Sequence, residues 1–403
     1  MRILYCHYLA NDDHPAARMV HAISKELEVL GHTVHIHRCL GPIRLTDKQR
    51  ISSLTGRHNR PTSWIASLKN HLWFARTLLD NLLTRKYDRS AIHSFCPDII
   101  LAREDAYRTS SVNEAISAGI PLVTYSDAPV AYECRTFPIA SRWHPPGIVE
   151  SIEKWWLKRS QAVITPSRPS KNELRKYNVS VPIFVVPNGV NPFEFPQLDD
   201  TVKHQYRSKL GIPLDKIVVG FHGSFRSFHG IDLLCHLIRS TSHRSDTHWL
   251  LIGDGPDKYK VEDVTQINPA ITILGNQSAD CMGPLVGIMD IGVATHMFVP
   301  GSFYFSPLKI LEYASTRCAV IASAQGDIPE MLNFGRAGIL IDKPDIEEWS
   351  IQLNALLDNY SLRTELGSSA QTWVHLNKTW HKTAECISGI LNDVHTNYVF
   401  TSS

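Results

Sequence analysis

The sequence predicts an α/β protein built from two doubly wound parallel-sheet domains. Three observations carry that expectation. Short β-rich runs alternate with helical stretches through the first half of the chain. The second half starts the same alternation afresh. A stretch rich in Pro, Asn and Asp lies between the two. The length of 403 residues agrees, since it exceeds what one ordinary hydrophobic core organises.

In the first half, RILYCHYL reads as a strand and ARMVHAISKELEVLG as a helix. Gly31 is the expected stop of that helix, and a new strand, TVHIHRC, begins just after His32. DIILA and PLVTYSD continue the sheet. In the second half, KIVVGFHG, HWLLIGDGP, ITILGN, IGVATH and AVIAS read as strands, with GIDLLCHLIRSTS and SPLKILEYAS as helices. VITPSRPSKNELRKYNVSVPIFVVPNGVNPFEFPQLDD separates the halves and places the hinge near 188–200. The expected domains are 1–190 and 191–375, with a last helix over 376–403 packing back toward the first domain. There is no short-period repeat and no low-complexity tract.

Composition narrows the class. Hydrophobic residues make up 43% and charged residues 20%, as in a globular protein outside the membrane. A net charge of +2 offers no global attraction for nucleic acid. The eight cysteines are scattered without a CxxC pair, which predicts reduced thiols and a cytoplasmic setting. The apolar run at the N-terminus is too short for a signal peptide, and no run of about 18 apolar residues occurs, so no spanning helix is expected.

One region breaks the alternation. Residues 56–89 are helical, aromatic and basic, with seven Lys/Arg against two Asp. SIEKWWLKRS, 151–160, pairs two tryptophans with cations. Such helices suit peripheral contact with an anionic membrane or a lipid-linked acceptor. The plainer reading is a core helix with a solvated basic face.

SPLKILEYAS, 306–315, poses the chemical question. Ser306 is a natural N-cap and Pro307 a natural first helical residue, yet the apolar run that follows contains Glu312. The N–H groups of Leu308 and Lys309 at a helix tip attract phosphate. Glu312 lies one turn further on the same face, about 6 Å along the axis. A carboxylate there can accept both hydroxyl protons of a ribose attached to that phosphate. The plainer reading is a salt bridge to Arg317 or Arg336.

GFHGSFRSFHG, 220–230, adds a strand that ends in a Gly-containing turn and runs into a helix. Gly223 permits close backbone approach to a ligand. Arg226 and His229 fall on the loop at the carboxyl edge of the sheet, where open α/β sheets bind ligands, and arginine matches diphosphate oxygens bidentately. LLIGDGP carries Gly253 at another strand end, but the G-x-G-x-x-G dinucleotide fingerprint opens neither domain. Gly275 and Asn276 of ITILGN offer backbone groups to a base. His35 and His37 share a strand face but lack a third ligand nearby, and Asp12, Asp13 and His14 form only a loose acidic group. No G-x-S-x-G elbow supports a Ser-His-Asp triad.

Taken in order, VVPNGV, GSFRSFHGIDLL, LLIGDGP, ILGN, SPLKILEYAS, AVIASAQGDIPEML and GILID resemble the donor domain of a GT-B fold glycosyltransferase of retaining family 4. MRILYCHY, ELEVLGHTV, PDIILARED and AGIPLVTYSDAP are similar to its N-terminal domain. The resemblance implies two Rossmann-like domains facing across a cleft that closes. It implies a nucleotide-sugar donor, of UDP or GDP type, on the C-terminal domain, and a glycan, lipid-linked or small-molecule acceptor on the N-terminal one. It assigns the diphosphate to Arg226 and the ribose to Glu312. Gly223, Ser224, Gly253, Gly275, Asn276, Tyr304, Ser306, Pro307 and Leu308 complete the donor side. Asn11, Arg18 and Asp127 fall on the acceptor side, and Arg226, His229 and Asp127 are the catalytic candidates.

Five features depart from the family pattern, one being Asp127 where many relatives carry a histidine. Tyr304 stands where relatives often carry a glutamate. His229 replaces the usual lysine. ANDDHPAAR, 10–18, replaces a Gly-Gly loop, and Asn191 replaces an aspartate. The expected reaction is transfer with retention, with no metal and no cofactor, in glycan or polysaccharide synthesis at the cytoplasmic side. Arg226, His229 and the helix tip would stabilise charge on the departing diphosphate. A nucleotide-sugar epimerase or hydrolase and a non-catalytic binding subunit are the alternatives.

Overall fold

The computed structural model describes residues 1–9, 14–39, 64–105, 107–136, 146–299 and 301–402. The chain divides into two compact units, Met1–Pro187 with Trp380–Ser403, and Asn188–Thr379.

Unit 1 runs β1 (Arg2–His7), α1 (Pro15–Val29), β2 (Thr33–Arg38), α2 (Trp64–Phe95), β3 (Ile99–Arg103), α3 (Ser110–Ser117), β4 (Leu122–Tyr125), α4 (Val130–Thr136), α5 (Pro146–Leu157), β5 (Ala162–Thr165), α6 (Arg168–Arg175) and β6 (Ile183–Val185). Its strands are all parallel, in the order β2-β1-β3-β4-β5-β6. Unit 2 runs α7 (Asp200–Lys209), β7 (Ile217–His222), α8 (Ile231–Ser240), β8 (Thr247–Ile252), α9 (Lys258–Thr265), β9 (Ile271–Ile273), α10 (Ala279–Gly287), β10 (Ile291–Ala294), α11 (Leu308–Ser315), β11 (Ala319–Ser323), α12 (Ile328–Met331), β12 (Ile339–Ile341), α13 (Ile346–Asp358) and α14 (Tyr360–Asn377). Its sheet is also parallel, in the order β12-β11-β10-β7-β8-β9. The last helix, α15 (Trp380–Ser402), belongs to unit 1, where His381 pairs with Glu26 of α1 at 3.0 Å.

The two orders differ in a way that matters. Unit 2 has the Rossmann order, whose direction reverses between β7 and β10. Unit 1 has the flavodoxin-like order with a sixth strand, and its reversal lies between β1 and β3. Ligands of such sheets bind outside the strand ends at the reversal.

The cores follow from strands buried on both faces. In unit 2, Val218 and Leu250 face one apolar cluster, while Val219 and Leu251 face the other. Every residue of β8 is buried, which is why parallel strands read as continuous apolar runs. Two glycines let elements close up. A Cβ on Gly292 would lie 2.4 Å from the Tyr313 ring, and one on Gly220 would lie 2.0 Å from Met289 Sδ. Gly292 therefore allows α11 to lie directly on β10.

Of the two aromatic, basic stretches, residues 56–63 lie outside the described residues, and Leu79, Leu82 and Leu83 of the first are exposed. In SIEKWWLKRS Trp156 is fully buried, while Trp155 is half-buried against the same core. Arg85 and Arg89 of α2 both bind Glu114, at 2.6 and 2.8 Å. No helix among the described residues is long and apolar enough to cross a membrane.

Candidate active site

The reversal in unit 2 gathers the loops that the sequence singled out. β7 ends at His222, and Gly223 follows with φ +135°, a conformation that favours glycine. A Cβ on Gly223 would meet Lys309 Nζ at 2.9 Å. Gly253, at the end of β8 with φ +144°, approaches from the other side; its Cβ would lie 2.0 Å from the Gly223 carbonyl oxygen. The Gly253 N–H donates to the Gly275 carbonyl at 2.9 Å, which joins the next loop to the same edge. Asn276 beside it is exposed. Ser224 accepts from the Arg226 N–H through its carbonyl, and a short 3-10 turn over Ser227–His229 leads to Gly230. Gly230, φ +71°, packs against the backbone of Thr295 after β10.

α11 starts one residue later than expected. Pro307 is the N-cap and Leu308 the first helical residue, and no side chain caps the tip. Ser306 precedes a proline, which keeps it out of the helix, and its carbonyl accepts from Asn188 Nδ2 at 3.2 Å. Asn188 of the PNGV motif thus holds the entry to the helix. The first N–H groups of the helix have no intrahelical partner and stay available to an anion.

Glu312 pairs with neither Arg317 nor Arg336. Its Oε2 lies 3.2 Å from His222 Nε2, at the end of β7. The His222 N–H donates to Tyr313 Oη at 2.9 Å, and the two rings meet edge on. One strand end and one helix turn therefore hold each other at two points.

The second cation of the site is Lys309, which sequence reasoning passed over. It is 6% exposed. Its Nζ stands 4.2 Å from the centre of the Phe221 ring and 2.9 Å from His229 Nδ1. Burial lowers its pKa to about 7, while Glu312 acts to raise it. His229 cannot supply the charge expected of it. Burial, then Lys309, His296 and Arg226, push its pKa well below the ordinary imidazole value. A neutral His229 accepts from Lys309 through Nδ1 and so orients the ammonium. Arg226 lies on the same loop, half-buried, and among the described residues it makes no ion pair. The signals were present in the sequence: Lys309 lies three residues before Glu312, and His222 directly before Gly223.

Tyr304 is enclosed by protein, its ring tilted over Phe305 at 4.2 Å. The place of the family's glutamate is taken by a packed aromatic.

At the sheet edge of unit 1, Asp127 follows β4 and pairs with Arg103 at 2.6 Å. His14 Nδ1 accepts from the Ala16 N–H and caps α1. Burial and Arg103 lower the His14 pKa, against a smaller effect of Asp127. Arg18 is half-buried on α1. Asn11, with Asp12 and Asp13, lies outside the described residues. Deeper in unit 1 are two buried acids. Glu153 accepts from the Val130 and Ala131 N–H groups at the start of α4, at 2.8 and 3.1 Å. Glu104 is 3% exposed. Burial raises both carboxyls, and repulsion from Glu153 raises Glu104 further.

Comparison with known proteins places these features. Residues 16–193 match the model of Glycosyltransferase Family 4, and residues 216–359 match that of Glycosyl transferases group 1. D-inositol 3-phosphate glycosyltransferase of Corynebacterium efficiens is 27% identical over 221 residues, 53% of this chain and 51% of that protein. Alpha-maltose-1-phosphate synthase of Mycolicibacterium smegmatis is 26% identical over 250 residues, 56% of this chain and 63% of that protein. The matches thus span only about half to three fifths of these curated relatives. Among solved structures, Anabaena HepE in complex with UDP and glucose has a TM-score of 0.70 at 16% identity, covering 98% of this chain and 100% of that one. A glycosyltransferase from Rickettsia africae has a TM-score of 0.70 at 18% identity, covering 98% of each chain. At such identity these likenesses concern the fold. Two parallel six-stranded sheets, the family 4 match in one unit and the group 1 match in the other lead to one conclusion: the chain belongs to the GT-B fold glycosyltransferases of group 1, family 4.

Proposed function

We propose that the protein moves a sugar from a nucleoside-diphosphate sugar, of UDP or GDP type, to an acceptor hydroxyl, with retention at the anomeric carbon and no metal at the reacting centre. One observation carries the reading. Helix α11 presents a cation, Lys309, in its first turn and a carboxylate, Glu312, one turn on, with Arg226 on the neighbouring loop. That sequence of charges complements a diphosphate followed by a ribose. The UDP and UDP-glucose complexes of Anabaena HepE support a uridine donor.

In this reading the diphosphate lies against the uncapped tip of α11. Arg226 and Lys309 stabilise the charge that grows as the sugar–phosphate bond breaks. Glu312 accepts from the ribose hydroxyls. The acceptor proton passes to a departing phosphate oxygen, so no protein nucleophile is needed. Unit 1 takes the acceptor, a glycan, a lipid-linked sugar or a small hydroxylated molecule, with Arg18 and Asp127 on that side. The setting is glycan or polysaccharide synthesis at the cytoplasmic side. Contact with an anionic lipid surface has one remaining support, the exposed Leu79, Leu82 and Leu83 of α2 beside Lys86.

Titration calorimetry with UDP, GDP and their sugars tests the donor site. Arg226→Ala and Glu312→Ala should each weaken the preferred nucleotide by about 10- to 100-fold, the range of a lost charge-assisted bond. Unchanged affinity in both variants removes the donor-site reading.

A further inference from the structure

A group of ligating side chains in unit 1 lies apart from the features above. His37 is near the end of β2, and Cys39 lies two residues on, where extended backbone returns a side chain to the same face. Asp88 comes from α2. His37 Nε2 is 2.7 Å from Asp88 Oδ1, and the ligating atoms of His37, Cys39 and Asp88 all lie within 4.8 Å of one another. The sequence reading set His37 aside for want of a third ligand. Cys39 and Asp88 supply two partners, while His35 turns to the Phe95 ring at 5.3 Å.

A hydrogen-bonded His–Asp pair is the ordinary explanation of such a contact, and it leaves a remainder. Asp88 is 1% exposed, and its Oδ2 has no hydrogen-bond partner. A buried acceptor left so costs about 1–3 kcal/mol, more when charged. Cys39 beside it is also 1% exposed. Cys6 of β1, buried as well, stands opposite His37 in the register of the two strands. A buried carboxylate oxygen, an imidazole and one or two thiols, with no water-facing partner for the carboxylate, form the donor set of a borderline-soft dication.

We propose that His37, Cys39 and Asp88 bind a single divalent cation of the zinc class, with Cys6 or a water in the fourth position. Ligand bonds of about 2.0–2.3 Å set tetrahedral donor atoms roughly 3.3–3.8 Å apart, so the His37–Asp88 contact opens by only about 0.6 Å from its 2.7 Å. Binding releases the thiol proton of Cys39 and the proton shared by His37 and Asp88. The ion staples α2 to β2, the edge strand of the sheet. It is structural and lies in the other unit from the donor site, so it is independent of the proposed reaction and of its metal-free chemistry.

The test is a cobalt(II) titration of the reduced full-length protein, purified without a polyhistidine tag, followed by absorption spectroscopy. The wild type should take up one equivalent with a thiolate-to-cobalt charge-transfer band, and zinc should displace it. Cys39→Ser should weaken the band at least by half, Cys39→Ser with Cys6→Ser should abolish it, and Asp88→Asn should weaken cobalt binding at least about tenfold, the loss of one ligand. Zinc alone should raise the melting temperature of the wild type but not of Cys39→Ser. A folded wild type saturated with cobalt that shows no thiolate band overturns the proposal, whatever the variants do. So does a band of unchanged intensity in Cys39→Ser, or a cobalt affinity unchanged by Asp88→Asn.

Discussion

The carboxyl edges of the two sheets are built from similar loops but carry charge in opposite ways. In unit 1 Arg103 pairs with Asp127, and Arg108 after the same strand donates to the Tyr8 carbonyl oxygen. In unit 2 Arg226 has no ion pair among the described residues, and Lys309 is held by a neutral imidazole instead of an acid. An edge where an acid and an arginine already bind each other suits a neutral, hydroxylated ligand. An edge with two under-compensated cations suits a diphosphate. The same contrast shows in the buried charged groups, since unit 1 buries the acids Asp88, Glu104, Glu114 and Glu153, and unit 2 the bases Arg207, Lys309 and Lys378.

The largest break in this comparison is expected from Lys309→Met. It removes the buried charge but keeps most of the volume, and it should weaken nucleotide binding by about 10- to 100-fold in calorimetry. It should also change how stability depends on pH. Lys309 titrates near 7 in the folded protein against 10.5 ordinarily. Between those values the unfolded chain binds the extra proton, so stability rises with pH by about 1.4 kcal/mol per unit from this group. Denaturant melts of ligand-free wild type should show that slope, and Lys309→Met should flatten it. Donor binding near pH 8 should be accompanied by proton uptake, read from calorimetry in buffers of different ionisation enthalpy. Identical slopes in both proteins would mean that the lysine is not desolvated.

Unit 1 should respond with the opposite sign. Glu104 and Glu153 have raised pKa values in the fold, so the native state holds protons that the unfolded chain has lost. Their contribution is fully present below the ordinary carboxyl value of 4.5 and declines as pH rises above it. Glu104→Gln keeps the shape without the charge and should stabilise the protein at neutral pH, with a melting point less sensitive between pH 5 and about 7. An equal loss of stability at every pH would contradict the assignment.

Smaller effects sharpen the division of labour. Asp127→Asn should leave nucleotide affinity within about twofold, since Asp127 belongs to unit 1 and the proposed nucleotide site to unit 2, while raising the acceptor KM. A large fall in nucleotide affinity would dissolve the contrast between the edges. Least of all, Leu82→Glu should reduce co-sedimentation with anionic vesicles at low salt, and equal sedimentation would end the membrane reading.

Much of the donor side was legible in the chain. Gly223, Gly253 and Gly230 stand at strand or helix ends because positive φ and close backbone contact demand glycine there, and that demand is local. SPLKILEYAS announces its helix and the depth of Glu312 through spacing alone. The cap was misplaced by one residue because Asn188, far away in sequence, takes the Ser306 carbonyl. Of the two tryptophans of SIEKWWLKRS, Trp156 is internal and Trp155 half-buried, since composition does not say which face a neighbouring element will cover.

By itself, then, the sequence determined the order of strands and helices, the glycine turns and the residue types available at each sheet edge, because periodicity and backbone conformation act over a few residues. Only the tertiary structure decided which charges survive. His229 meets Lys309 and loses its proton, Glu312 meets His222, and Asp88 meets His37 and Cys39. These partners lie 49 to 90 positions apart in the chain, and charge depends on desolvation and on neighbours within a few ångströms. Neither quantity exists until the chain is folded.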